Sequence, residues 1–95
     1  MASTPSLTFE EFAAQAQAQG YPQALVRTWD PGHVTPEHEH PFDTHALVVE
    51  GEFWLTVGDD TRHFQAGDTF ELSRHILHRE RYGAQGAIFW AARRL

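Results

Sequence analysis

From Gly32 to Gly51 the chain reads GHVTPEHEHPFDTHALVVEG. A turn residue opens the stretch, two prolines interrupt it, and the apolar run Ala46–Val49 closes it. Proline has no N–H to give to a ladder, so Pro36 and Pro41 restrict Thr35–His40 to a short edge or bulged strand. Within it stands His38-Glu39-His40. On a strand, residues i and i+2 share a face, about 6.6–6.8 Å apart along the chain. Two imidazoles so placed can lean onto one ion at about 2.0–2.1 Å. Glu37 and Glu39 alternate with the pair and face away from it.

Outward from this stretch the chain reads as strand and turn. Ala24–Trp29 is a strand ended by Asp30-Pro31-Gly32, a strong turn signal. His45–Val49 is an apolar strand, Glu50-Gly51 a tight turn, and Phe53–Val57 a strand leading to the hairpin turn Gly58-Asp59-Asp60. Arg62–Gln65, Thr69–Leu72, His75–Arg81 and Ala87–Ala91 follow. Ala66-Gly67-Asp68 forms a turn between the first two, and Gly83 and Gly86 bracket a loop before the last. Roughly eight short strands with glycine-marked turns every 8–12 residues are the pattern of an antiparallel sandwich or barrel. Phe42, Phe53, Leu55, Val57, Phe64, Phe70, Leu72 and Phe89 are the core candidates. Trp54 lies on the opposite face from Phe53 and Leu55, where a dimer contact or the N-terminal helix would cover it.

That helix spans Thr8–Gln19. Thr8 and Glu11 fit a capping box, and Phe9, Phe12, Ala13 and Ala16 share one face. Gly20 supplies a left-handed cap and Pro22 blocks continuation. The organisation expected is a flexible lead over residues 1–7, a helix over 8–20, and an all-β barrel over 21–95. The helix packs on a sheet edge or one end of the barrel. No strand–helix–strand alternation occurs, which excludes nucleotide-binding parallel sheets and (β/α)-barrels.

Composition narrows the chemistry. The chain has 95 residues and no Cys, which removes disulfides, thiolate nucleophiles and cysteine-ligated metals. All seven of its Lys and Arg positions are Arg, so Schiff-base chemistry is out as well. Thirteen acids give a net charge of −6, against binding to nucleic acid or to an anionic membrane surface. No apolar run is long enough to span a bilayer, and residues 1–20 lack the basic and apolar regions of a secretion signal. The reading is cytoplasmic. A core this small gains from an apolar dimer interface, so a homodimer is expected. Seven residues are His, and four of them fall between His33 and His45. Clustered imidazoles are a metal-site signal.

Two motifs then resemble the cupin superfamily. Its first, G-x5-H-x-H-x(3,4)-E-x6-G, is matched by Gly32, His38, His40 and Gly51. Its second, roughly G-D-x(4)-P-x-G-x-x-H-x(3)-N, is matched by Gly67, Asp68 and His78. Together they cover about residues 24–92. The chain departs from the second motif at Ser73, His75 and Tyr82. The glutamate of the first is absent. Counted back from Gly51 its slot holds Thr44, and counted on from His40 it holds His45. The resemblance implies a small double-stranded β-helix, or jelly-roll, barrel. It also implies a divalent metal (Fe, Mn, Ni, Zn or Cu) on His38, His40 and His78, with His45, Thr44 or Glu80 in the position of the missing glutamate.

Glu80 lies two residues from His78 and shares its face, as a ligand, a base, or a partner that orients an imidazole. The implied function is that of a metal-dependent dioxygenase, lyase or isomerase acting on a small molecule. The alternative is a small-ligand-binding, sensor-like module without catalysis. Either way the partner is a small molecule. Imidazoles ligate metal only when neutral, so metal is expected to be lost below about pH 6.

Overall fold

A computed structural model describes residues 7–95; residues 1–6 of the expected lead lie outside the described residues. The chain folds as an all-β double-stranded β-helix barrel with one N-terminal helix. Helix α1 is Phe9–Ala18, and the strands are β1 Gln23–Trp29, β2 Asp43–Val57, β3 Asp60–Gln65, β4 Thr69–Leu72 and β5 Arg79–Arg94. The sheet order is β1-β5-β2-β3, with β4 also paired to β2, and every pairing is antiparallel.

Five strands replace the eight short ones expected, because β2 and β5 each run through what reads as a break, and the reason is glycine geometry. Glu50-Gly51 is not a turn. Gly51 lies inside β2 at a pair of register shifts, between Val48/Glu50 and Gly51/Phe53. Its φ is +78°, and Gly86 across the ladder in β5 has φ +69°. Both glycines supply left-handed backbone for a bulge, which bends a strand without ending it. Each long strand therefore wraps from one wall of the barrel to the other. The expected strand Thr35–His40 is reduced to two isolated bridges, Val34 with Arg81 and His38 with His78. The prolines at its ends account for that. Residues 73–77 are a turn at Arg74-His75 and irregular chain rather than strand, with His75 itself at φ 64°.

The barrel interior is aromatic. Phe53 is fully buried, and its ring centroid lies 5.3–5.5 Å from those of Phe64, Phe70, Tyr82 and Phe89. Ala46, Val48, Leu55, Ala87 and Ala91 complete this cluster. Burying one phenyl ring of this size contributes about 1.5–3 kcal/mol. A second cluster lies on the outer face, where Phe12 and Ala16 of α1 cover Leu47 and Ala92. The capping box is present: the Thr8 hydroxyl accepts from Glu11 N–H, and the Glu11 carboxylate accepts from Thr8 N–H. Leu7 packs on this cluster too. The helix thus covers a face of the sheet, beside Trp90, and not an edge, a barrel end or Trp54. Trp54 is instead sandwiched with its neighbours His63 (4.7 Å) and Arg81 (4.2 Å). No helix among the described residues is long and apolar enough to cross a membrane.

Candidate metal centre

Two irregular segments deliver the imidazoles. Residues 33–40 run beside the start of β5. There His38 and His78 exchange backbone N–H···O bonds, both 2.9 Å, and Thr35 N–H donates to Glu80 O. His75 N–H donates to His40 O at 2.8 Å, closing the other side. The loop that carries His78 is anchored by Asp43. Its carboxylate accepts from Arg74 N–H at 2.8 Å and from the guanidinium groups of Arg74 and Arg94. The hydrogen bonds from Arg74, then those from Arg94, hold the Asp43 carboxyl well below the usual carboxylate range.

The structure brings His38, His40 and His78 together. One nitrogen of each lies within 4.8 Å of the others. The ring centroids are 4.3 Å apart for His38–His78, 4.9 Å for His38–His40 and 5.1 Å for His40–His78. Their tautomers follow from their partners. His38 Nδ1 lies 2.7 Å from Pro36 O and His78 Nδ1 lies 2.9 Å from Ile76 O. A carbonyl oxygen only accepts, so each Nδ1 carries the proton and each Nε2 presents a lone pair. This is the outer arrangement that orients metal-ligating histidines. His40 is oriented by its stack on Phe42, at 4.9 Å and 12°.

His78 is 2% exposed, and its Nε2 is buried with no hydrogen-bond partner. An orphaned buried acceptor costs free energy unless something fills it. Three convergent imidazole lone pairs, one of them orphaned, are the donor set that a divalent transition metal satisfies. The residues present fit such an ion.

Glu80 sits against the triad. Its Oε2 is 3.7 Å from His38 Nε2 and its Oε1 3.8 Å from His78 Nε2, with the side chain 10% exposed. Thr35 fixes it: the hydroxyl donates to Oε2 at 2.6 Å and accepts from Glu80 N–H at 2.8 Å. Thr44 lines the same cavity. His45 does not, because residues 44–48 alternate and its ring faces outward. It stacks on Phe12 at 6.0 Å and lies tilted against Tyr21 at 5.8 Å, under α1, with Nδ1 3.5 Å from the exposed Glu71 carboxylate. Thr44 and Glu80, and not His45, therefore border the triad. His33 and His63 are exposed and stack on Trp29 and Trp54, and exposed His75 faces Glu39 at 3.4 Å.

The cavity at the triad has a volume of ≈ 70 Å³. Its floor is Phe70, Leu72, Phe89 and Ala91, and its wall includes Arg27 and Arg93, which the sequence reading passed over. A larger open depression of ≈ 490 Å³ lies against His45, Leu55 and Phe64; it shares Phe70 and Leu72 with the first cavity, but His38, His40 and His78 do not line it. The smaller one holds the convergent polar groups and is the candidate site.

Burial, then the charges of His78 and His38, lower the His40 pKa below its ordinary 6.5. The unfolded chain takes up a proton near 6.5 that folded His40 refuses, so acid favours unfolding. Metal-free protein is expected to hold full stability above about pH 6.5 and to lose it as pH falls below that value. Melting curves between pH 7.5 and 5.0 check this, and His40→Gln should flatten the dependence. An unchanged slope in the variant would assign the effect to other groups.

A family model described as "Cupin domain" matches residues 25–87. Among solved structures, KdgF from Halomonas sp. is 25% identical, with TM-score 0.63 over 76% of this chain and 68% of that one. An RmlC-like cupin from Shewanella frigidimarina is 26% identical, with TM-score 0.65 over 77% and 66%. A protein with a double-stranded β-helix domain from Klebsiella pneumoniae is 24% identical, with TM-score 0.65 over 75% and 64%. No curated protein matches the chain.

Proposed function

Because the chain belongs to the cupin domain family, we propose that it holds one divalent metal ion on His38, His40 and His78 and acts on a small molecule bound beside it. The observation that carries this reading is the orphaned, inward-facing Nε2 of His78, whose Nδ1–H is fixed on Ile76 O. A bound divalent ion would polarise a substrate oxygen as a Lewis acid.

The chain's own residues would do the rest. The two Nδ1–H anchors keep the lone pairs convergent. The apolar floor excludes water and strengthens every charge interaction above it. Glu80 has one oxygen engaged by Thr35 and the other, Oε1, without that bond. It is placed to take a proton from carbon or oxygen next to the polarised group and return it elsewhere. That is the economy of a lyase or isomerase.

The test is elemental analysis of untagged protein purified without chelators, beside the His38→Ala/His40→Ala double variant. About one ion per wild-type chain and none in the variant is expected. Glu80→Gln should keep the ion while slowing proton exchange of a bound substrate into deuterated water by roughly 10²–10⁴-fold. Equal metal in wild type and double variant would overturn the site. A ligand that binds without any exchange or turnover would favour the non-catalytic module.

A further inference from the structure

Two arginines share the cavity with the imidazoles. Arg27 stands opposite Phe89 in the β1–β5 ladder. Arg93 follows Phe89 and Ala91 at alternate positions of β5 and pairs with Thr44 of β2. Each guanidinium rests on an aromatic ring: Arg27 Cζ is 4.8 Å from the Trp29 centroid, and Arg93 Cζ is 4.4 Å from that of Phe42. Arg62, Arg74 and Arg94 are paired with carboxylates; among the described residues Arg27, Arg79, Arg81 and Arg93 form no ion pair, and of these four Arg27 and Arg93 line the cavity. Burial, then the charge of Arg27, lowers the Arg93 pKa. Trp29 also lines the cavity, and its buried indole N–H has no partner. On a chain of net charge −6, these unpaired donors are a local reversal of sign that an anion would relieve.

We propose that Arg27, Arg93 and the Trp29 N–H form a carboxylate-binding half of this cavity, so that the ligand is a small monocarboxylic acid whose second oxygen points at the histidines. The inference rests on the metal-site reading above. A planar guanidinium can grip both oxygens of a carboxylate. Size limits the rest of the molecule, since ≈ 70 Å³ holds roughly five to seven water-sized positions. Acids of two to four carbons fit. The second oxygen should be neutral, a 2-hydroxy or 2-oxo group, because Glu80 lies 3.7 and 3.8 Å from two of the imidazoles and would repel a second carboxylate.

The experiment is calorimetric titration of Ni²⁺-loaded protein with pyruvate, lactate, their methyl esters, malonate and inorganic phosphate. Pyruvate or lactate is expected to bind at least about tenfold more tightly than its own ester, because a hydrogen-bonded charge is lost in the ester. Malonate should bind more weakly than either acid. Arg27→Met and Arg93→Met should each weaken the acid by about tenfold or more while leaving Ni²⁺ affinity and the melting temperature near wild type. The ester comparison needs no variant, so it stands even if a variant misfolds. Equal affinity for acid and ester, no binding of either acid, or tighter binding of phosphate would overturn the assignment. A chain that binds no Ni²⁺ overturns the metal reading and this inference with it. A chain that binds Ni²⁺ normally but ignores the carboxylate overturns this inference alone.

Discussion

Removing the metal with a chelator should lower the melting temperature by about 15–30 °C relative to protein holding the ion at a thousandfold excess over its Kd. An ion that binds only the folded chain contributes about 4 kcal/mol at that excess. Each kcal/mol moves the transition of a domain this small by about 4–8 °C. A bound ion would bridge two segments that the barrel's ladders barely hold, residues 33–40 and 73–78. His78→Ala should abolish the shift, since it removes the ligand that links the second segment to the first. Differential scanning calorimetry with and without the ion is the measurement. A chelation shift below about 3 °C in wild type would mean that the imidazoles do not hold an ion tightly.

Gly51→Ala and Gly86→Ala should each destabilise the fold by about 2–5 kcal/mol. Both positions have positive φ, which costs a residue with a Cβ about 1–2 kcal/mol. A Cβ at Gly51 would also overlap the Gly86 carbonyl oxygen, and one at Gly86 would overlap the Trp29 carbonyl oxygen. Those are backbone atoms that cannot swing away, and overpacking adds about 1–3 kcal/mol. Gly58 is the control. Its φ is +60° but nothing lies within 4 Å of a Cβ there, so Gly58→Ala should show only the backbone part. Urea unfolding of the three variants separates the two contributions. Equal losses at Gly51 and Gly58 would show that the close approach of β2 and β5 is not what these glycines serve.

The same two glycines mark where the sequence was hardest to read. Gly51 and Gly86 look like turn residues on any local criterion, because turns and bulges both want φ > 0. Only the partner strand shows that the ladder continues past them. The helix was legible to the level of its capping box, which is a local feature. Its docking face was not, because that depends on which side of the sheet Leu47 and Ala92 present.

His38, His40 and His78 could be singled out because the H-x-H spacing and a distant third histidine are visible in one dimension. The orientation of His45 could not, since Pro41-Phe42-Asp43 resets the strand phase. The alternation Thr44, Ala46, Val48 inward against His45 and Leu47 outward decides it once the phase is known. Arg27 and Arg93 left a fainter trace. Arg93 continues the inward series Phe89, Ala91, but a charge at the end of an apolar strand reads as a solvated tip until the fold closes around it.

Residues 33–40 are joined to β5 by only a few backbone bonds and two isolated bridges, while β2 and β5 share a ladder over most of their length. Openings of a protein follow such differences in fastening. The segment bearing two of the three imidazoles can therefore swing clear while the barrel stays intact, and its amides should exchange with solvent well before those of β5. If the imidazoles hold an ion as proposed, this clasp would set its residence time, and loading and release would need no unfolding of the barrel.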